Sequence, residues 1–308
     1  MSDRGTTVTG HGTTHLYVPA DQPDLVDKAL TRVSGSIIFD LEDSVAPSRR
    51  PGARQHLRTV LEHRHAQHVW VRVSTGAEGR LDVDALRGCR HLDGVWIAKA
   101  EDPPEIVALV AELPGTVRVG LVIESARALL ALPALAALPR VSVLQLGEAD
   151  LTADLRAAPH EDRLLDPIRA GVVTCSAAFK LDRPVAPVEI RASDLDGFRD
   201  SSRALRRMGF GGRACITPMQ VQAATAIFRP SAEELEAARV AVDTFDQAAR
   251  EGSGVYRGTD GAMVDAATVR SARQLLADGD AVDTLHLSSS RHHHPAEEEP
   301  PCRPRSGS

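Results

Sequence analysis

Eight apolar runs of strand length alternate with helical segments between Leu16 and Phe228, and this alternation predicts an α/β protein: a closed (β/α)8 TIM barrel with a C-terminal helical arm. Two further observations point the same way. No G-x-G-x-x-G turn follows the first run, which disfavours a doubly wound dinucleotide-binding sheet. Hydrophobic residues are 43% of the 308-residue chain but aromatic residues only 3%, so the core must be Val, Leu, Ile and Ala, as buried parallel strands require.

HLYVPA (His15 to Ala20) forms the first strand, and Pro23 opens a helix that runs to about Arg32. SIIFDLED is the second strand, followed by a helix over Gly52 to Glu62. HVWVRVS is the third strand, followed by a helix over Val83 to Cys89. GVWIAKAED is the fourth, with Lys99 at its end and prolines in the first turn of the helix PPEIVALVAELP. VGLVIE and VSVLQL are the fifth and sixth, joined by an Ala/Leu-rich amphipathic helix, and a long helix follows over Leu164 to Leu181. RPVAPVEI is a poor seventh strand because it carries two prolines. Asp194 caps the next helix and Gly209 stops it, GRACITP is the eighth strand, and MQVQAATAIF is its helix.

The barrel thus takes residues 1–230. In residues 231–280, SAEELEAARVAVDTFDQAAREG is a capped amphipathic helix, GVYRGTDGAMVD a turn-rich loop and AATVRSARQLLADG a last helix. This arm is too small for a core of its own and must pack on the barrel or on a neighbouring subunit. Residues 281–308 lack periodicity and are expected to be a disordered tail.

A net charge of −6 with scattered Lys and Arg offers no basic stripe for nucleic acid, no apolar run approaches the length of a membrane span, and the opening MSDRGTTVTGHGTTH lacks an apolar signal core. A cytoplasmic location is expected. Cys89, Cys175, Cys215 and Cys302 form no CxxC pair, which suits reduced, mostly buried thiols.

Barrel enzymes carry their chemistry at the C-terminal ends of the strands, and these ends are charged here. Asp40, Glu42 and Asp43 close the second strand, Arg72 lies in the third, Lys99 ends the fourth, Glu124 the fifth, and Asp150 follows the sixth. A strand–helix–strand unit makes parallel neighbours, so Glu124 and Asp150 converge at the same end of the sheet. Two such carboxylates suit a hard cation that keeps part of its water shell, Mg²⁺ above all. Each alone also serves as a helix cap. Interior charges are expensive unless paired or metal-bound, so the group as a whole makes sense as a cation, an anionic substrate and a guanidinium clamp.

LYVPADQPDLVDKAL, IIFDLEDSVAPSRRPGAR, VRVS, LVIESARALL, LGEADL, DLDGFRDSSRALRRMGFGGRACITPMQV, FRPSAEELEAAR and GAMVD together resemble the citrate lyase β-subunit-like branch of the HpcH/HpaI aldolase family, which includes malyl-CoA and citramalyl-CoA lyases. The resemblance spans Leu16 to about Asp278. It implies that Glu124 and Asp150 bind Mg²⁺ and that Arg72 holds a substrate carboxylate or the thioester enolate oxygen. It implies catalytic support from Glu42 and Asp43, which orient metal-bound waters, and substrate binding by the backbone N–H groups of Gly147, Glu148 and Ala149. It implies that Asp265, in GAMVD, serves as an acid/base delivered from a neighbouring subunit of a homotrimer or hexamer, although Asp265 also reads as the N-cap of the last helix. The substrates implied are an acyl-CoA and a 2-oxo or 2-hydroxy acid.

The chain departs from the family pattern at Thr13, Ser74, Thr217 and Met219, and EAD stands where relatives commonly have AED. Among other readings, Arg72 can be a structural partner of Asp40, and Lys99 a Schiff-base nucleophile unless the adjacent carboxylates keep it protonated. His63, His65 and His68 form an H-x-H-x-x-H cluster, but it falls on a turn at the barrel's N-terminal face, and His292 to His294 lie in the tail. The leading expectation is a Mg²⁺-dependent carbon–carbon lyase acting on a 3-hydroxyacyl-CoA. A CoA-independent 2-oxo acid aldolase and a non-catalytic ligand-binding subunit are the alternatives.

Overall fold

A computed structural model describes residues 12–250, 256–257 and 263–290. Its eight parallel strands close in sequence order: β1 (Thr14–Pro19), β2 (Ser36–Asp40), β3 (His68–Val73), β4 (Gly94–Ile97), β5 (Arg118–Ile123), β6 (Val141–Leu146), β7 (Val185–Ala186) and β8 (Gly212–Cys215), with β8 pairing back to β1. The surrounding helices are α1 (Pro23–Arg32), α2 (Arg50–Val60), α3 (Gly76–Leu86), α4 (Pro103–Ala111), α5 (Ala126–Ala136), α6 (Glu148–Asp154), α7 (Asp162–Ala178), α8 (Leu195–Met208) and α9 (Pro218–Phe228). The predicted (β/α)8 barrel is what forms.

Strand alternation sorts the side chains into two cores. Outward-facing Val, Leu and Ile from the strands meet the apolar stripes of the helices in one large cluster. Inward-facing Ile38, Trp70, Trp96, Val122, Val143, Val185 and Ala214 fill the lumen. The two lumen indoles need room. A Cβ on Gly94 would stand 2.4 Å from the Trp70 ring, and one on Gly120 2.5 Å from the Trp96 ring, so each indole lies flat on the glycine of the next strand. The rings are 5.5 Å apart and fill the lower lumen despite the chain's low aromatic content.

Two residues further along the same strands stand Asp40 after Ile38, Arg72 after Trp70, Glu124 after Val122 and Gln145 after Val143. Period-two alternation therefore directs all four inward, above the indole layer, at the C-terminal end of the barrel.

The helix signals hold at α8, where Asp194 accepts from Gly197 N at 2.9 Å and Gly209 ends the helix in the left-handed region at φ 111°. In the arm, α10 (Ala232–Arg250) starts with a reciprocal box: Ser231 Oγ accepts from Glu234 N, and Ser231 N donates to Glu234 Oε2. A short antiparallel pair, β9 (Tyr256–Arg257) and β10 (Met263–Val264), falls within the expected loop, and α11 (Ala266–Ser290) extends beyond Gly279 into the stretch expected to be disordered. Arg206 on α8 pairs with Glu234, and Arg183 with Asp278, so the arm lies against the barrel.

Two helices depart from the apolar pattern. Helix α3 begins at Gly76 instead of Val83 because polar contacts hold its first turns: Arg54 donates to the buried Asp82 at 2.7 Å and to Glu78 at 2.5 Å. Helix α6 has no apolar period to announce it. Strand β7 is two residues long, as its prolines required. Cys89 is partly buried, Cys175 and Cys215 are buried, and all three are free; Cys302 and the histidines at 292 to 294 lie outside the described residues. Among the described residues no helix is long and apolar enough to cross a membrane.

Candidate active site

Asp40 and Arg72 are directly opposed across β2 and β3. The guanidinium grips the carboxylate in parallel: Arg72 Nε donates to Asp40 Oδ1 and Nη2 to Oδ2, both at 2.7 Å. Glu42 N and Ser44 N donate to the same carboxylate. Burial alone would raise the Asp40 pKa, but the Arg72 hydrogen bonds outweigh it and hold the group below the usual carboxylate range. The remaining Arg72 nitrogen, Nη1, faces Glu42 at 3.3 Å and Asp43 at 3.4 Å, and the guanidinium lies 5.1 Å over the Tyr17 ring. Arg72 is therefore a structural partner of Asp40 that also presents fixed positive charge to the lumen.

Lys99 sits in the left-handed region at φ 51°, and this turn lets it act twice. Its ammonium donates to Glu42 at 2.6 Å and approaches Asp43 at 3.3 Å, while its backbone N–H donates to Glu124 Oε1 at 2.6 Å. The Glu42 hydrogen bond raises the Lys99 pKa. A lysine held protonated cannot be a Schiff-base nucleophile, and that reading is set aside.

These elements wall a cavity of about 550 Å³ at the C-terminal mouth of the barrel, lined among others by Tyr17, Arg72, Glu124, Gln145, Gly147 and Asp150. Tyr17 donates to Gln145 Oε1 at 3.0 Å across its floor. Glu124 is 3% exposed, and burial lifts its pKa to about 7, with the neighbouring charges of Asp150 and Glu42 adding to the rise. It packs hard against the next strand. A Cβ on Gly147 would stand 2.6 Å from Glu124 Cβ and 2.9 Å from its Oε2, so glycine is needed there for Glu124 to occupy its place.

The ion pairs around the cavity divide its carboxylates into two groups. Asp40, Glu42 and Asp43 are paired with Arg72 or Lys99, and Glu148 with Arg169. Among the described residues no lysine, arginine or histidine pairs with Glu124 or Asp150. A nearly buried carboxylate beside a second one, both without a cation, is a donor set of hard oxygens that suits Mg²⁺. Among the described residues no group of three or more His, Cys, Asp or Glu has ligand geometry, so an ion here would take only these two side chains and fill its shell with water or substrate oxygens.

Other expected residues fall differently. The Gly147 N–H donates to Ile123 O at 2.9 Å as part of the strand ladder, so it is not available to a substrate. Of the three expected backbone groups, those of Glu148 and Ala149 remain at the start of α6, which has no capping side chain. The Glu148 carboxylate is bound by Arg169. Asp43 lines the cavity, whereas the more deeply buried Glu42 lies behind it. Asp265 is not among the residues lining the cavity of its own chain. It caps α11, its Oδ1 accepting from Ala267 N and Thr268 N at 3.0 and 2.9 Å. Thr217 caps α9, and Met219 is exposed. Ser74 is buried with its Oγ unpartnered. His65 Nε2 donates to Val60 O, and His68 starts β3 beside Asp93, at the face opposite the cavity. Tyr17, Gln145 and Arg169 were not expected. The alternation that marks Glu124 marks Tyr17 and Gln145 too, but nothing local marks Arg169.

Residues 13–218 match the sequence signature of the HpcH/HpaI aldolase/citrate lyase family. A (3S)-malyl-CoA thioesterase of Cereibacter sphaeroides is 34% identical over 89% of this chain and 96% of its own length. An L-malyl-CoA/beta-methylmalyl-CoA lyase of Rhodobacter capsulatus is 28% identical over 85% of this chain and 92% of its own. Among solved structures, the protein CitE of Mycobacterium tuberculosis in complex with magnesium, acetoacetate and coenzyme A superposes with a TM-score of 0.73 at 26% identity, covering 89% of this chain and all of the other.

Proposed function

Because this chain belongs to the HpcH/HpaI aldolase/citrate lyase family and is an enzyme of that lyase class, we propose that it acts with Mg²⁺ on a 3-carboxy-3-hydroxyacyl-CoA of the malyl-CoA type. The reaction is reversible cleavage to an acyl-CoA and a 2-oxo acid. The observation that carries this reading is the pair Glu124 and Asp150, which form no ion pair with any described lysine, arginine or histidine at a cavity whose other carboxylates are all paired. These two carboxylates would hold the ion, which supplies Lewis acidity and positive charge for the oxygens of the oxo or hydroxy acid. The CoA and oxo acid complexes of the solved relative support the substrate class.

The protein's own groups have defined tasks in this scheme. As the carbon–carbon bond breaks, the substrate hydroxyl gives its proton to water at the rim and the electron pair of the broken bond moves onto the thioester carbonyl as an enolate. The Arg72 charge, fixed in direction by Asp40, stabilises that developing oxyanion without having to reorient. Asp43 and Glu42 hold Lys99 and Arg72 in place, and Asp43 orients water at the rim. The N–H groups of Glu148 and Ala149 face a substrate carboxylate. The proton delivered to the enolate carbon comes from Asp265 of a neighbouring copy, which gives the arm its purpose within a homo-oligomer, a trimer or hexamer.

A second reading is favoured by the 34% identical thioesterase: water attacks the thioester carbonyl and CoA thiol leaves, with Arg72 stabilising the oxyanion and the ion held by Glu124 and Asp150 able to supply further positive charge. The two are separated in one experiment. Malyl-CoA is incubated with protein and Mg²⁺, glyoxylate is trapped as its phenylhydrazone and free thiol is titrated. Oxo acid without thiol (glyoxylate from malyl- and methylmalyl-CoA, pyruvate from citramalyl-CoA) supports cleavage, thiol without oxo acid supports hydrolysis, and neither product across the three thioesters sinks the proposal. Loss of either product in Glu124→Ala and Asp150→Ala ties it to this cavity.

A further inference from the structure

Helix α6 carries Asp150, yet it is short, begins without a capping side chain and leaves Asp150 exposed at the cavity. It is held at its two ends. At the far end Asp154 Oδ2 accepts from Ala126 N, the first residue of α5, at 2.8 Å. At the near end Glu148 is gripped by Arg169 of α7, with Nε donating to Oε1 at 2.6 Å and Nη2 to Oε2 at 2.8 Å. The third arginine nitrogen, Nη1, donates to Asp162 and Asp166, both at 2.8 Å, so α7 itself fixes the direction of the guanidinium. Both side chains of the Arg169–Glu148 pair are nearly buried, at 11% and 12% exposure.

We propose that Arg169 is a positioning residue: it clamps the first turn of α6 and thereby sets where the Asp150 carboxylate stands over the cavity. The inference rests on the reading of Glu124 and Asp150 as ion ligands only for its consequence, not for the clamp. A bidentate, buried pair fixes orientation as well as distance, which a single surface ion pair does not. Without Arg169, Glu148 is left nearly buried and uncompensated two residues from Asp150, and the turn must open to hydrate it. Removing such an orienting partner of a ligand weakens metal affinity by about ten- to a hundredfold.

The test uses the full chain, with Arg169→Met, Arg169→Lys and Glu148→Gln beside the wild type. Amide exchange at Leu151, whose N–H bonds Gly147 O, is measured without metal, and Mg²⁺ binding is measured calorimetrically. The clamp predicts faster exchange in α6 alone in Arg169→Met and Glu148→Gln, with partial recovery in Arg169→Lys. It predicts an Mg²⁺ Kd weakened about tenfold or more, with kcat at saturating Mg²⁺ within about twofold of wild type in Arg169→Met. Should Arg169→Met fail to fold, Glu148→Gln cuts the same pair from the other side. Unchanged α6 exchange overturns the clamp, and faster exchange with an unchanged Kd overturns its link to Asp150. Wild-type protein that binds no Mg²⁺ would refute the ion reading, while the exchange arm would still decide the clamp.

Discussion

Replacing Glu124 by glutamine should make the metal-free protein more stable and at the same time deaf to Mg²⁺. Burial lifts the Glu124 pKa from the usual 4.5 to about 7. The folded chain therefore binds this proton more tightly than the unfolded chain does. The stabilisation that this provides is fully present below about pH 4.5 and is lost as pH rises through about 7, where the carboxylate must ionise in place. At about 1.4 kcal/mol per pKa unit, holding Glu124 ionised near pH 8 costs the fold about 3 kcal/mol. Glutamine is nearly isosteric and its Oε1 can still accept the Lys99 N–H, so the variant avoids this cost without losing that bond. Urea unfolding at a fixed protein concentration should show the two proteins nearly equal near pH 4.5 and the variant ahead by roughly 3 kcal/mol near pH 8. Saturating Mg²⁺ at about a hundred times its Kd should return about 2.7 kcal/mol to the wild type and nothing to the variant. A variant no more stable than wild type near pH 8, or one stabilised by Mg²⁺ as strongly, would refute the reasoning.

Three further outcomes follow from the same geometry. Gly147→Ala puts a methyl where Glu124 sits, so Mg²⁺-induced stabilisation should disappear while circular dichroism stays native; an unchanged Mg²⁺ response would mean that Glu124 has room to move. Arg72→Lys loses the parallel grip on Asp40, and thermal unfolding should report a loss on the order of 3 kcal/mol with kcat down by about a hundredfold or more. Mixing Glu124→Ala with Asp265→Ala, each inactive alone, and allowing subunits to exchange should restore a fraction of wild-type turnover; no recovery would place Asp265 outside the site and leave it as the cap of α11, which contributes about 1 kcal/mol.

What the sequence determined by itself is the face and the level of each strand residue. Period-two alternation is a property of the extended chain, so the order Ile38 then Asp40, Trp70 then Arg72, Val122 then Glu124, already directs those charges into the lumen at its C-terminal end. The resemblance carried by IIFDLED, LVIES and LGEADL likewise lies within single strands and their first turns. What only the tertiary structure decided is which carboxylate is spent on which cation. Asp40 meets Arg72 because register sets them opposite, Glu42 meets Lys99 across two strands, and Glu148 meets an arginine from the middle of the next helix. Pairing depends on distances between elements that no local pattern encodes. The same reason hid the polar contacts that start α3 early and the ladder bond that removes the Gly147 N–H from the site. Glu124 and Asp150 stand out only after the other carboxylates lining the cavity, Asp40, Asp43 and Glu148, have found their cations.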